Sequence, residues 1–172
     1  MHDELTKVDI EKMQEELKDL YGRLPALMED VRVARAHGDL SENDEYKTAK
    51  REINAARRRI RYLENMIQTA VIIDTASEEG KTGLFDYIHI SYPEPGVPEE
   101  EWETRVVRVV TTLRNDVLND CISKESPVGK ALVGREEGEI VTITPSGRPS
   151  YQIRIDSFEK GEDDRNLPIS SF

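Results

Sequence analysis

From Ile10 onward the apolar and small residues fall at Ile10, Met13, Leu17, Leu20, Leu24, Leu27, Val31 and Ala34. Steps alternating between three and four put them on one stripe of a helix, the heptad seam of a coiled coil. A second seam of the same spacing runs through Tyr46, Ala49, Ile53, Ala56, Ile60, Leu63, Ile67 and Ala70, with Lys, Arg, Glu and Gln between its members. The stretch from Arg35 to Glu45 holds Gly38 and several helix-starting residues, so the chain can reverse there and lay the seams together antiparallel. Each arm is a little under thirty residues, a reach of roughly 40 Å at about 1.5 Å per residue. Pro25, with Gly22 ahead of it, removes a backbone donor while the seam keeps its phase, which predicts a kink or short break in the first arm.

Beyond the second seam the pattern changes. Asp74 to Gly83 is polar, contains Gly80 and Gly83, and reads as a linker. Tyr87 to Ser91 and Tyr151 to Ile155 then alternate apolar with polar, while Arg105 to Thr112 and Glu139 to Thr144 are rich in β-branched residues; all four read as strands. Pro145-Ser146-Gly147 predicts the turn between the last two, and Pro127 to Val133 a short helix stopping at Gly134. Pro93 to Glu101 is too rich in Pro and Glu for a core segment and is expected to be a loop. The residues from Lys160 are acidic and polar, and a loosely held tail is expected. The fold class is therefore α+β. An antiparallel α-helical coiled-coil hairpin occupies 1–75 with an acidic tip near 37–45, followed by a linker at 76–83, a small mixed α/β domain with an antiparallel sheet at 84–159, and a polar tail at 160–172.

Charge narrows the range of partners. The 172 residues carry a formal net charge of −11, which repels a bare phosphate backbone and argues against free duplex DNA or RNA as the main partner. A nucleic-acid role would need a local basic patch. Cys121 is the only cysteine and no Cys/His cluster has zinc-ligand spacing, so a reducing compartment is expected. No apolar stretch approaches a membrane span, and the N-terminus opens on polar His2-Asp3-Glu4, which suits the cytoplasm and gives no reason to expect a membrane partner.

The tip places four carboxylates, Asp39, Glu42, Asp44 and Glu45, within seven positions. Two readings stand side by side. In one, Asp39 with Glu42, or Ser41 with Asp44, forms a capping box, and acids in a first helical turn favour the helix dipole. In the other, side chains three apart on a helical turn lie roughly 5–6 Å from each other and grip one cation. Magnesium suits such oxygen ligands, but it keeps several waters and takes further ligands from a substrate or partner. A coiled-coil tip has no concave pocket, so any chemistry there requires a second macromolecule. Lys47, Lys50, Arg51, Arg57, Arg58, Arg59 and Arg61 make the second arm locally basic, either as a functional patch or as solvated positions paired with acids on the facing arm. His37 reads as polar surface, Tyr46 as a seam residue, and Cys121 and Trp102 as packing or surface.

The run Gly38-Asp39-Leu40-Ser41-Glu42-Asn43-Asp44-Glu45-Tyr46 resembles the tip signature of the Gre transcript-cleavage factors: Gly-Asp-Leu, a variable residue, Glu-Asn, then Glu-Tyr. Pro25 sits where members often carry a proline. Ser126-Pro127-Val128-Gly129-Lys130-Ala131-Leu132, with Gly134 and Gly138, resembles the family's C-terminal segment. The likeness extends from Ile10 to about Phe158. It implies an FKBP-like C-terminal domain that docks at the rim of the secondary channel of bacterial RNA polymerase, with Glu125, Ser126 and Pro127 in the docking loop, while the hairpin threads the channel. It also implies that Asp39 and Glu42 help hold a second magnesium ion, shared with the polymerase, and position the attacking water. Lys47, Lys50, Arg51, Arg57, Arg58 and Arg61 would then face the nascent RNA 3′ segment. On this reading the protein is a monomeric accessory factor and not itself an enzyme. Three features depart from the pattern: a loop at 92–103 longer than usual, a charged tail after Glu159, and Glu125 where aspartate is common. Two alternatives remain, a homologue that enters the same channel and inhibits transcription, and a coiled-coil adaptor whose tip acids only cap a helix.

Overall fold

A computed structural model describes residues 3–38 and 43–171. The chain divides into two compact units, one built on Ile10–Ala70 and the other on Glu4–Asp9 with Val71–Ser171.

The first unit is two helices, α1 (Lys7–Arg35), whose first turn belongs to the second unit, and α2 (Asp44–Thr69). In α1 the buried apolar residues are Met13, Leu20, Leu27 and Ala34, one every seven, with Ile10, Leu17, Leu24 and Val31 half-buried between them. In α2 the buried set is Ala49, Ile53, Ala56, Ile60, Leu63 and Met66. Only Met66 was not on the expected seam. The arms run antiparallel: Arg35 near the reversal meets Tyr46, while Glu16 far from it takes both Nε and Nη2 of Arg59, at 2.7 and 3.0 Å. Pro25 does not break α1, which runs through it. One missing backbone hydrogen bond does not end a helix whose seam is buried on either side, at Leu20 and Leu27.

The second unit holds a five-stranded sheet in the order β5-β4-β3-β7-β6, formed by β3 (Tyr87–Ser91), β4 (Thr104–Val110), β5 (Cys121–Ser123), β6 (Ile140–Ile143) and β7 (Tyr151–Glu159). Neighbours are antiparallel except β4 and β5, which pair in parallel, so the expected antiparallel sheet is a mixed one. The short helix α3 (Pro127–Leu132) contributes Leu132 to a core otherwise made by the alternate residues of the strands, among them Ile88, Ile90, Val107, Val109, Ile153 and Ile155. Two further strands of two residues each, β1 (Glu4–Leu5) and β2 (Val71–Ile72), pair in parallel. Residues 4–9 and 71–75, which periodicity groups with the hairpin, therefore lie in the second unit. Pro93 to Glu101 forms the expected loop, with one short turn at Glu99–Glu101; Trp102 closes it by donating its indole N–H to Val97 O and stacking its ring 4.9 Å from the Arg154 guanidinium.

A buried charge cluster organises this unit. Thr6 and Asp9 form a capping box at the start of α1: the Asp9 carboxylate accepts from Thr6 N at 3.0 Å, and the Thr6 hydroxyl accepts from Asp9 N at 3.1 Å. The second Asp9 oxygen lies 2.7 Å from Nε of Arg114, and both side chains are wholly buried. The approach is a charge contact and not an aligned hydrogen bond. Arg114 also donates to Asp163 Oδ1 and to the Asp164 carbonyl, and Asp163 accepts from the Thr6 hydroxyl.

The residues after Lys160 are accordingly not a loose tail. Arg108 donates to the carbonyls of both Phe85 and Glu162, and Ser170 donates through N and Oγ to Leu113 O. Gly161 passes so close to Phe85 that a Cβ would collide with its carbonyl. The acidic composition that suggested disorder is offset by the buried cations Arg108 and Arg114. Replacing Arg114 with Met removes one partner of a fully buried pair and leaves the Asp9 carboxylate stranded. The expected loss is about 3–5 kcal/mol of unfolding free energy, measured by urea denaturation of the whole chain.

Candidate functional site

The first arm ends at Arg35, and Gly38, at φ +112°, lets the chain take a backbone conformation that L side chains rarely adopt. The second arm starts at Asp44, capped by Asn43, whose Oδ1 accepts from Tyr46 N at 3.0 Å. The expected capping boxes therefore do not cap α2. Asparagine with extended backbone immediately before the first helical residue is a strong N-cap, and it supplants Ser41 and Asp39 in that role. The same amide donates through Nδ2 to Ala34 O at 2.8 Å, joining the end of one arm to the beginning of the other.

Two more contacts cross the reversal. His37 Nδ1 meets Glu45 Oε2 at 3.1 Å, and Arg35 reaches the Tyr46 hydroxyl at 3.5 Å with its guanidinium 5.8 Å from the ring centre. Lys50 covers the same ring at 5.7 Å. The Arg35 contact lowers the Tyr46 pKa against a smaller opposing effect of burial, with Lys50 adding to it. Tyr46 is thus half-buried, as its seam position suggested, and also cradled by two cations. Asp39 and Glu42, the proposed metal ligands, lie outside the described residues. Among the described residues no three His, Cys, Asp or Glu side chains converge to hold a metal.

The basic residues of α2 sort by face. Lys47, Lys50, Arg51, Arg57, Arg58 and Arg61 are all exposed, and their three-, four- and seven-residue intervals align them on one side of the helix. Arg59 does not belong to this stripe, because it bridges the arms through Glu16 with only 11% of its side chain exposed. Another face of α2 is acidic. There Asp44, Glu45 and Glu52, with Asp30 of α1, line a shallow groove of about 510 Å³ floored by Val33, Ala34 and Ala49.

In the second unit the three docking-loop residues sit together at the start of α3. Ser126 is the N-cap: its Oγ accepts from Gly129 N at 3.0 Å and donates to Ser123 O at 2.7 Å, and Pro127 opens the helix. Gly129 lies so tightly on Ser123 that a Cβ would overlap its carbonyl. Glu125 is held by Lys130 at 3.2 Å and Lys124 at 3.5 Å.

Comparison with known proteins places this geometry. The family model for the transcription elongation factor N-terminal domain matches residues 4–72, and that for the GreA/GreB C-terminal domain matches 97–160. The transcription elongation factor GreA of Streptococcus suis is 38% identical over 165 residues, spanning 91% of this chain and 94% of its own length. This chain belongs to the GreA/GreB family of transcription elongation factors. GreA of Thermosipho melanesiensis is likewise 38% identical, over 87% of this chain and 92% of that protein. The crystal structure of GreA factor homolog 1 from Thermus thermophilus is a looser likeness, with a TM-score of 0.42 at 27% identity over 93% of this chain and 100% of that one. GreA/GreB factors are accessory proteins and not enzymes in their own right, and membership implies RNA polymerase as partner and a role in stimulating transcript cleavage. It also implies magnesium in the polymerase's cleavage chemistry.

The hydrogen bond from Lys130, aided by Lys124, holds the Glu125 carboxyl below its ordinary value of 4.5. A depressed carboxyl pKa contributes stability that is present above the unfolded value and lost as pH falls through the folded one. An NMR titration should therefore find the Glu125 midpoint below 4.5 in the native chain, and Lys130→Ala should move it upward.

Proposed function

We propose that this GreA/GreB-family chain is a cleavage activator: docked on bacterial RNA polymerase, it brings Asp39 and Glu42 to the catalytic centre and promotes hydrolysis of backtracked nascent RNA. The observation carrying this is the origin of the α2 cap. Asn43 supplies it, so capping α2 does not require Asp39 or Glu42. Two carboxylates three residues apart suit a hard cation but fill only part of its shell, which agrees with an ion shared with the polymerase. Such an ion would supply a water of lowered pKa and stabilise charge on the departing RNA oxygen. Asp39 and Glu42 hold their share of that shell and orient the water.

The exposed cations of α2 run from position 47 to 61, roughly 21 Å at about 1.5 Å per residue. They face the extruded RNA 3′ segment, and contacts to phosphate oxygens there are independent of base sequence. The second unit, a five-stranded sheet crossed by one short helix and read as FKBP-like, docks at the rim of the secondary channel through Glu125, Ser126 and Pro127. The factor works as a monomer in the cytoplasm.

The test is a backtracked elongation complex with the protein added. Shortened RNA that can be extended again is expected. Slowed synthesis without shortened RNA would mean an inhibitor, and failure to bind core polymerase would mean an unrelated adaptor. Asp39→Asn removes the charge a cation needs, and the cleavage rate should fall by about a hundredfold or more while polymerase binding is unchanged. Since the cap lies elsewhere, the melting temperature should not move; a lower one with undiminished cleavage would return Asp39 to a structural role. Changing Arg57, Arg58 and Arg61 together to Ala should weaken RNA engagement, and each phosphate left without its cation should flatten the slope of log affinity against log salt by about 0.7.

A further inference from the structure

The contacts of Asn43 do more than begin a helix. Its two amide groups serve opposite arms: Oδ1 accepts from Tyr46 N in the first turn of α2, and Nδ2 donates to Ala34 O in the last turn of α1. The side chain is partly buried between them. Both bonds satisfy backbone groups that a helix end leaves without intrahelical partners. Aspartate and serine cap as well as asparagine, yet an ionised aspartate has no donor and the short serine hydroxyl must accept and donate through one atom, whereas the carboxamide presents an acceptor and a donor on separate atoms. An asparagine here therefore does something that capping does not require.

From this bridge we infer that Asn43 is a positioning residue for transcript cleavage, clamping the ends of the two arms so that the segment carrying Asp39 and Glu42 starts and finishes at fixed points. The inference rests on the cleavage reading given above. His37 with Glu45 and Arg35 with Tyr46 cross the same reversal, but both contacts are made at the exposed ends of the side chains, and contacts of that kind hold geometry weakly. The Asn43 bridge is the partly buried one, with two short bonds to backbone. Displacing the reacting groups by about 1 Å costs roughly a hundredfold in rate, so a loose clamp reads out as lost chemistry before it reads out as lost folding.

The test uses the full chain with Asn43→Asp and Asn43→Ser, both of which keep a capping oxygen. Asn43→Asp also sets a carboxylate against the Ala34 carbonyl. Two measurements are made: the cleavage rate of a backtracked polymerase complex as a function of factor concentration, and the spin-label distance distribution between cysteines introduced at Arg32 and Lys47, with the buried Cys121 left in place. The expected result is a rate at saturating factor reduced roughly ten- to a hundredfold. The half-saturating concentration should be unchanged, as should the helical content and melting temperature, and the label distribution should broaden. A simple cap would leave the saturating rate alone in both variants. An undiminished saturating rate, or an unbroadened distribution, overturns the clamp. If the unaltered protein fails to stimulate cleavage at all, the functional reading is what falls, and the label distances then decide the clamp by themselves.

Discussion

Two helices that meet along a single seam have no interior, and the behaviour of the first unit follows from that constraint. Its buried residues form a line one side chain wide, from Met13 to Ala34 in one arm and from Ala49 to Met66 in the other. Such a structure offers no enclosed pocket to shelter a substrate, and among its described residues no three ligands converge on a metal ion. What it can do is hold a short polar segment at the end of a stiff support. Near the reversal the seam gives way to polar contacts: Asn43 to Ala34, His37 to Glu45, Arg35 to Tyr46. The hairpin can therefore deliver ligands but cannot use them alone, which is why a family of accessory proteins can be built on it.

The second unit solves a different problem, holding chain ends that composition alone would leave free. Residues 4–9 and the segment after Lys160 are mostly polar, with Leu5 buried in the first and Leu167 packed against the Phe85 cluster in the second, so charge has to supply part of what holds them. Both are tied to cations inside the domain, Arg114 taking Asp9 and Asp163, and Arg108 taking the carbonyls of Phe85 and Glu162. Buried charge of this kind is poor at adding stability, since desolvation cancels most of the attraction, but it is unforgiving of the wrong partner. Its contribution here is register: Asp9 closes the capping box of α1 with one oxygen and faces Arg114 with the other.

Much of this was legible in the sequence, and the reasons are physical. The seams were readable because a period of three and four over eight positions has no other explanation, and every buried apolar residue of α1 lies on it. The strands were readable from alternation, and Ser126 and Pro127 announced α3 by the chemistry of a helix start. Elements too short to carry a period were not visible: β1 and β2, at two residues each, and β5, at three, whose parallel pairing with β4 altered the sheet. The tail was misjudged because its acids were weighed without the buried arginines that receive them. At the tip the signature residues could be named from sequence, but the division of labour could not. Which of several cap-forming side chains takes the N-cap depends on where the helix begins, and that boundary fell at Asn43 rather than two or four residues earlier.

The distribution of charge ties these parts to function. A net charge of −11 keeps the molecule away from free nucleic acid, yet α2 carries six exposed cations on one face. At physiological ionic strength the field of an exposed charge decays over about 8 Å, so a strand lying along that face would feel the stripe more than the distant acids. A strand in free solution approaches from all directions and meets the repulsive average. The charge pattern therefore favours RNA contact only where something else has already aligned the strand with the helix. On the reading proposed here the polymerase channel provides that alignment, and the acidic remainder of the surface restricts the factor to RNA presented in that way.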